Sequence, residues 1–161
     1  MIRIRPFQST DTETVLSWCT DEETWSGWTA GVLGDYPLTA EKFAATAAAR
    51  RFTALDGEEP VGFFILRRPD GAAHALRIGF VIVDPRKRNR GIGKEMVRLG
   101  AALAFREPGV GKVTLGVMED NLPARACYAS AGFRETGVRE AYPIRGRTLF
   151  AVEMALTRED G

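Results

Sequence analysis

Soft metal ligands are scarce in this chain of 161 residues: it has two cysteines and one histidine. Cys19 and Cys127 lie far apart and form no C-x-x-C pair, and with His74 they cannot complete a familiar structural zinc site. No metal is expected. Two isolated thiols read as reduced cysteines of a cytoplasmic protein. No apolar run approaches the ~20 residues of a membrane-spanning helix. The opening MIRIRPFQST has no apolar core, so it reads as no signal peptide. Charge of one sign is also missing. Lys and Arg total 22 against 21 Asp and Glu, for a net charge of +1. That excludes bulk attraction to nucleic acid or to an anionic membrane and leaves room only for a local basic patch. Repeats, low-complexity tracts and linkers are absent. The expectation is a single domain over residues 1–161, long enough to bury roughly 70% of its unfolded surface without cross-links.

Ile2, Ile4 and Pro6 alternate with Arg3 and Arg5, the pattern of a first strand. TDTE (Thr10 to Glu13) reads as a capping box opening a helix to about Cys19. The stretch TDEETWSGWTAGVLGDYP has no clear period and is expected to be irregular and partly helical. Thr39 caps a helix on AEKFAATAAARR. RFTALD and EPVGFFILRRP flank the turn signal Asp56-Gly57 and form a hairpin. HALRIGFVIV is a strand from His74 to Val83. Gly91 opens a helix to about Glu107, KVTLGVM is a strand, and LPARACYASA is a short helix ending at Gly132. GFRETGVRE and RTLFAVEMAL are the last strands, with AYPIRGR as a polar loop between them. Consecutive hairpins exclude a simple alternating Rossmann pattern.

VDPRKRNRGIGKEM, Val83 to Met96, puts two glycines and five basic residues between a strand and a helix. Helix N-termini leave N–H groups unpaired, and glycine lets an anion approach them closely. A Walker A loop is ruled out, because Glu95 follows Gly93-Lys94 and Arg88 holds the first glycine position. A dinucleotide fingerprint is ruled out by Met96. The spacing that fits is [QR]-x-x-G-x-[GA], at Arg88, Gly91 and Gly93. Downstream, Asn121, Ala124, Tyr128, Gly132 and Phe133 fit N-x-x-A-x-x-x-Y-x-x-x-G-F. Ala124, Cys127, Tyr128 and Ala131 share one helix face.

With both motifs in this order, the chain resembles the GNAT superfamily of N-acetyltransferases. The resemblance implies an α/β (α+β) fold: a mixed, mostly antiparallel sheet of six to seven strands with about four helices, splayed between the fourth and fifth strands. It implies acetyl-CoA as cofactor and an amine acceptor as partner, with direct attack in a ternary complex. The pyrophosphate is expected on Arg88, Asn89, Arg90, Gly91, Ile92, Gly93 and Lys94, and the pantetheine arm on Val81, Ile82 and Val83. Asn121, Ala124, Cys127 and Tyr128 are expected to complete the cofactor site. Tyr128 is the expected general acid, and the Val81 N–H the donor to the oxyanion. No position fixes the base, so water, Glu119, Asp120, Glu153 and His74 stay open. Trp25, Trp28 and Tyr142 are expected at the acceptor site. Cys127 beside the acid reads as a packed thiol, since no base is in place to make it a nucleophile. The alternative to an enzyme is an acyl-CoA-binding sensor. No nucleic-acid or membrane partner is expected, and the chain is a monomer or a homodimer.

Overall fold

A strand covered on both faces reads as an unbroken apolar run, and VGFFIL is such a run. It lies in β3 (Glu59–Arg67). Phe64 and Leu66 are buried on one face of the sheet, and Phe63 and Ile65 on the other. The other strands are β1 (Ile2–Pro6), β2 (Arg50–Asp56), β4 (Ala75–Val83), β5 (Lys112–Met118), β6 (Arg134–Ile144) and β7 (Arg147–Thr157). This is a computed structural model that describes residues 1–158. The seven strands form one sheet in the order β1-β2-β3-β4-β5-β7-β6. Neighbours are antiparallel except for the parallel pair β4–β5. This is the expected sheet.

The helices divide between its faces. On one face α1 (Thr12–Ser17), α2 (Glu22–Thr29) and α3 (Ala40–Phe43) bring Val15, Trp25, Trp28 and Phe43 onto Phe63 and Ile65. On the other, α4 (Ile92–Phe105) and α5 (Leu122–Ser130) bring Met96, Val97, Ala101 and Tyr128 onto Phe64, Ile78 and Leu115. The described residues form five α-helices where about four were expected, because the segment around Trp25 is a capped helix. Asp21 accepts a 2.7 Å bond from the Thr24 N–H at its start.

Local expectations differ at three places. TDTE is not the cap: Ser9–Asp11 is a short 3-10 turn, and Asp11 turns back to accept from the Gln8 N–H at 2.9 Å. Asp11 is claimed there because Arg5 and Thr53 also bind it. The first helix runs from Thr12 to Ser17 and stops two residues short of Cys19. The alanine-rich helix after Thr39 lasts only through Phe43 and continues as a 3-10 segment, Ala44–Ala48. AYPIRGR is mostly strand. β6 runs to Ile144, pairing Tyr142 with Leu149, and only Arg145 and Gly146, at φ 46° and 79°, make the turn.

Candidate active site

β4 and β5 pair only from Ala75–Lys112 to Ile78–Leu115. Beyond that the strands part, although β4 continues to Val83 and β5 to Met118. A bulge in β4 accompanies the parting. Phe63 pairs with Ile82 and Ile65 with Gly79, so Phe80 and Val81 together oppose Phe64. Phe80 stands at φ +48°, a region that costs a non-glycine residue about 1–3 kcal/mol. The extra residue reverses the faces of the strand. Ile78 packs with α4, whereas Ile82, four residues on, packs with the α1–α3 cluster, and Val81 and Val83 turn toward α4 and α5.

The backbone past the bulge is directed by one bond. The Asp84 N–H donates to Val61 O at 2.8 Å, so Val83 and Gly62 form the non-bonded type of antiparallel pair. By alternation Ile82 aims its N–H at β3, and Val81 and Val83 aim theirs into the gap facing β5. A row of open strand groups therefore lines the split.

The chain then enters the basic loop through a pinned turn. Asp84, 1% exposed, accepts from the Arg86 N–H at 3.0 Å and from its guanidinium at 3.2 and 3.0 Å. The Arg86 guanidinium holds the Asp84 carboxyl below the usual carboxylate range against the opposing effect of burial. Lys87 pairs with Glu59 at 2.6 Å. Arg88, Arg90 and Lys94 make no ion pair among the described residues. Asn89 and Gly91 are left-handed, at φ 65° and 76°. No side chain caps α4, and its first internal bond is Glu95 N–H to Gly91 O at 3.1 Å. The N–H groups of Ile92, Gly93 and Lys94 thus have no partner inside the helix.

The second motif arrives at the same place. Asn121 caps α5 through a 3.2 Å bond from the Ala124 N–H. A Cβ built on Gly93 would lie 3.6 Å from Cys127 Sγ and 3.7 Å from Val83. The start of α4, the end of β4 and the face of α5 therefore meet. Tyr128 is buried in the cluster that holds Val81, Val83, Ala124 and Cys127. Its hydroxyl has no hydrogen-bond partner among the described residues. Burial pushes it far above the ordinary phenol range. Burial also raises the Cys127 thiol, with Lys94 opposing.

The structure separates the candidate bases. Glu119 is held by Arg139 at 2.6 and 3.0 Å, which lowers its pKa. Asp120 is exposed on the turn before α5. Glu153 accepts from Arg77 at 3.1 Å and from Thr136 at 3.0 Å. His74 precedes β4, 3.2 Å from Gly109 O. Nine residues of strand, roughly 30 Å, put it at the far end from Val83.

Trp25 and Trp28 form no open wall. Both are buried, and their indole N–H groups donate to Gly34 O at 3.0 Å and Phe80 O at 2.8 Å. Tyr142 donates to Glu140 at 2.8 Å, and Glu140 also accepts from Arg77 at 3.2 Å. Sequence reasoning missed Arg77 and Glu140, which lie 63 residues apart. One signal was present. Gly116 interrupts a strand, and a Cβ there would lie 2.7 Å from the Arg77 guanidinium.

The donors beside the split suit a pyrophosphate: helix N–H groups with no partner inside the helix, three cations with no ion pair among the described residues, and open strand backbone leading away from them. The residues fit coenzyme A. Among the described residues no group of three or more His, Cys, Asp or Glu could hold a metal ion. No helix of the described residues is long and apolar enough to cross a membrane.

Comparison with known proteins agrees with the fold. The solved spermidine N-acetyltransferase of Vibrio cholerae, in complex with CoA and spermine, superposes with a TM-score of 0.80 at 19% identity, covering 99% of this chain and 96% of that one. A mycothiol acetyltransferase of Salinispora tropica is 27% identical over 137 residues, which are 77% of this chain and 45% of that protein. A peptidyl-lysine N-acetyltransferase, YjaB, of Salmonella typhimurium is 35% identical over 85 residues, covering 53% of this chain and 50% of that protein. The chain spans half or less of the length of these curated relatives. The profile of the acetyltransferase (GNAT) family matches residues 13–133, three-quarters of the sequence. With the split sheet, the uncapped basic loop and the tyrosine helix in one place, the chain belongs to the GNAT acetyltransferase family.

Proposed function

We propose that this protein is an acetyl-CoA-dependent N-acetyltransferase acting on a primary amine of a small molecule or peptide. The observation that carries this reading is the meeting of Val83, Gly93 and Cys127 beside open β4 backbone and Tyr128. When bound, acetyl-CoA supplies an acetyl group activated as a thioester. Ile92, Gly93 and Lys94 hold the pyrophosphate through backbone N–H groups, with Arg88, Asn89 and Arg90 around it. Val81 and Val83 offer strand backbone to the amide groups of the pantetheine arm, with Ile82 between them. Asn121 and Ala124 set the height of α5, and Cys127 packs beside the arm. The Val81 N–H donates to the acyl oxygen as charge develops there. Tyr128 Oη donates a hydrogen bond to the departing sulfur. A thiol has a parent pKa of ~8.5, below that of the phenol, so the sulfur leaves as a thiolate held by the Tyr128 hydroxyl, Tyr128 keeps its proton, and the thiolate takes its own from solvent. The acceptor amine loses its proton to water or to a carboxylate on the β5–β7 side, where Glu140 and Tyr142 lie.

The test is an intact-mass screen. Protein and acetyl-CoA are offered polyamines, amino acids, aminoglycosides and short lysine peptides, and products heavier by one acetyl group are sought. Tyr128→Phe is expected to lower kcat by ~10²-fold and to leave acetyl-CoA affinity unchanged. Tight cofactor binding without product from any acceptor would favour an acyl-CoA-binding module instead.

A further inference from the structure

The Phe80–Val81 peptide is the strained point of the split. A bulge takes a carbonyl out of the ladder, and a buried carbonyl must find another partner. Phe80 O finds the Trp28 indole N–H at 2.8 Å. Trp28 lies on α2, 52 residues away in sequence. It is 8% exposed, with its ring against Phe43 at 5.9 Å and Phe63 at 6.4 Å. The indole is thus held by the packing of the fold itself. In a trans peptide the carbonyl of one residue and the N–H of the next point in opposite directions. Drawing Phe80 O toward α2 on the α1–α3 face turns the Val81 N–H to the other face, the side of α4, α5 and Tyr128. The Asp84–Val61 bond adds that this N–H points away from β3, on the side of the gap.

We infer that Trp28 is a positioning residue: its indole N–H fixes the plane of the Phe80–Val81 peptide and so aims the Val81 N–H at the acyl oxygen. The inference rests on the role of Val81 given above. A hydrogen bond to the carbonyl also polarises the amide and makes its N–H a stronger donor. The working part of Trp28 is then its N–H and not its ring face. Trp25 has no such role, since its indole is spent on Gly34 O within its own segment.

Trp28→Phe keeps an apolar ring and removes the donor. In valine-labelled protein the Val81 amide resonance is expected to move, kcat to fall roughly tenfold, less than the ~10²–10³ of losing an oxyanion donor outright, and CoA affinity to hold. An unmoved Val81 amide overturns the inference whatever happens to turnover. A moved amide with unchanged kcat overturns the role of Val81 and the catalytic half of the inference with it. Equal losses of CoA affinity and kcat mark a merely structural tryptophan and overturn it too. If Trp28→Phe does not fold, scalar coupling across the bond from Trp28 Nε1 to the Phe80 carbonyl is measured in the unaltered protein. Its absence overturns the inference.

Discussion

Tyr128 and Cys127 are sequence neighbours with different exposure to chemistry. The raised pKa of Tyr128 keeps its hydroxyl protonated through and beyond the usual phenol value of ~10. The ionisations left to limit the rate lie on its rising side: the acceptor amine, which must be neutral to attack, and any carboxylate that takes its proton. kcat/KM is therefore expected to rise with pH to a plateau set by the acceptor and to show no descending limb below pH ~10. A pH–rate profile checks this. Cys127 Sγ is next to Gly93 and Val83, so bound coenzyme A should shield it. Cys19 is buried against α1 and pushed up to about 11, which makes it a poor nucleophile with or without ligand. Alkylation followed by peptide mapping should show slow labelling of Cys127 that CoA slows further, and no effect of CoA on Cys19.

The elements meet through glycines whose reasons are invisible in one dimension. α4 crosses β3 so closely that a Cβ on Gly62 would lie 2.6 Å from Met96 Sδ and 3.2 Å from Ile82 O. Met96 is fully buried, so its thioether must shift within the core, and the Ile82 carbonyl is backbone. Gly62→Ala is expected to cost about 1–3 kcal/mol, seen as a drop of several degrees in Tm with coenzyme A affinity reduced in parallel, because α4 carries the loop. The β6–β7 hairpin turns on Arg145 and Gly146, both at positive φ, the geometry for which Asn-Gly is the favoured pair. The sequence signal there is the glycine alone. An arginine in the first position disguises the turn, which is why the whole AYPIRGR stretch reads as loop. Conversely, the two motifs of α4 and α5 were fully legible, because each depends on spacing within one helix and its entry. The bulge was only half legible: Gly79 inside HALRIGFVIV can mark one, but it does not say that Phe80, and not the glycine, takes the left-handed backbone.

At the scale of the molecule, the sheet is tied to the N-terminal helices by one buried polar cluster. Asp11, 4% exposed, accepts from Arg5 at 2.7 and 2.9 Å, from Thr53 at 2.8 Å and from the Gln8 N–H. Burial pushes its pKa up, but these bonds together outweigh it and leave the carboxyl below its usual value. A carboxyl lowered by folding adds stability that is complete above its unfolded pKa of ~3.9 and is lost as pH falls through the lower folded value. Asp11→Asn is expected to cost about 3 kcal/mol at pH 7 by leaving Arg5 unpaired. The difference in Tm from the unaltered protein should shrink as pH drops below ~3.9, which calorimetry from pH 7 to pH 3 would follow.

What the sequence determined by itself was local or periodic: the order of strands and helices, the bare basic loop, the tyrosine helix, and through them the family. Each depends on groups within a few residues of one another, so a string carries it. What only the tertiary structure decided was which distant groups meet. It placed Trp25 and Trp28 in the core instead of at an acceptor wall, and sent Arg77 to Glu140 and Glu153 across the sheet. It removed His74 from the site by the length of a strand, and it set where the gap implied between β4 and β5 begins, past Ile78 and Leu115. These follow from register and from one extra residue in β4. A shift of a single residue exchanges the faces of a strand, and no feature of the residues themselves announces it.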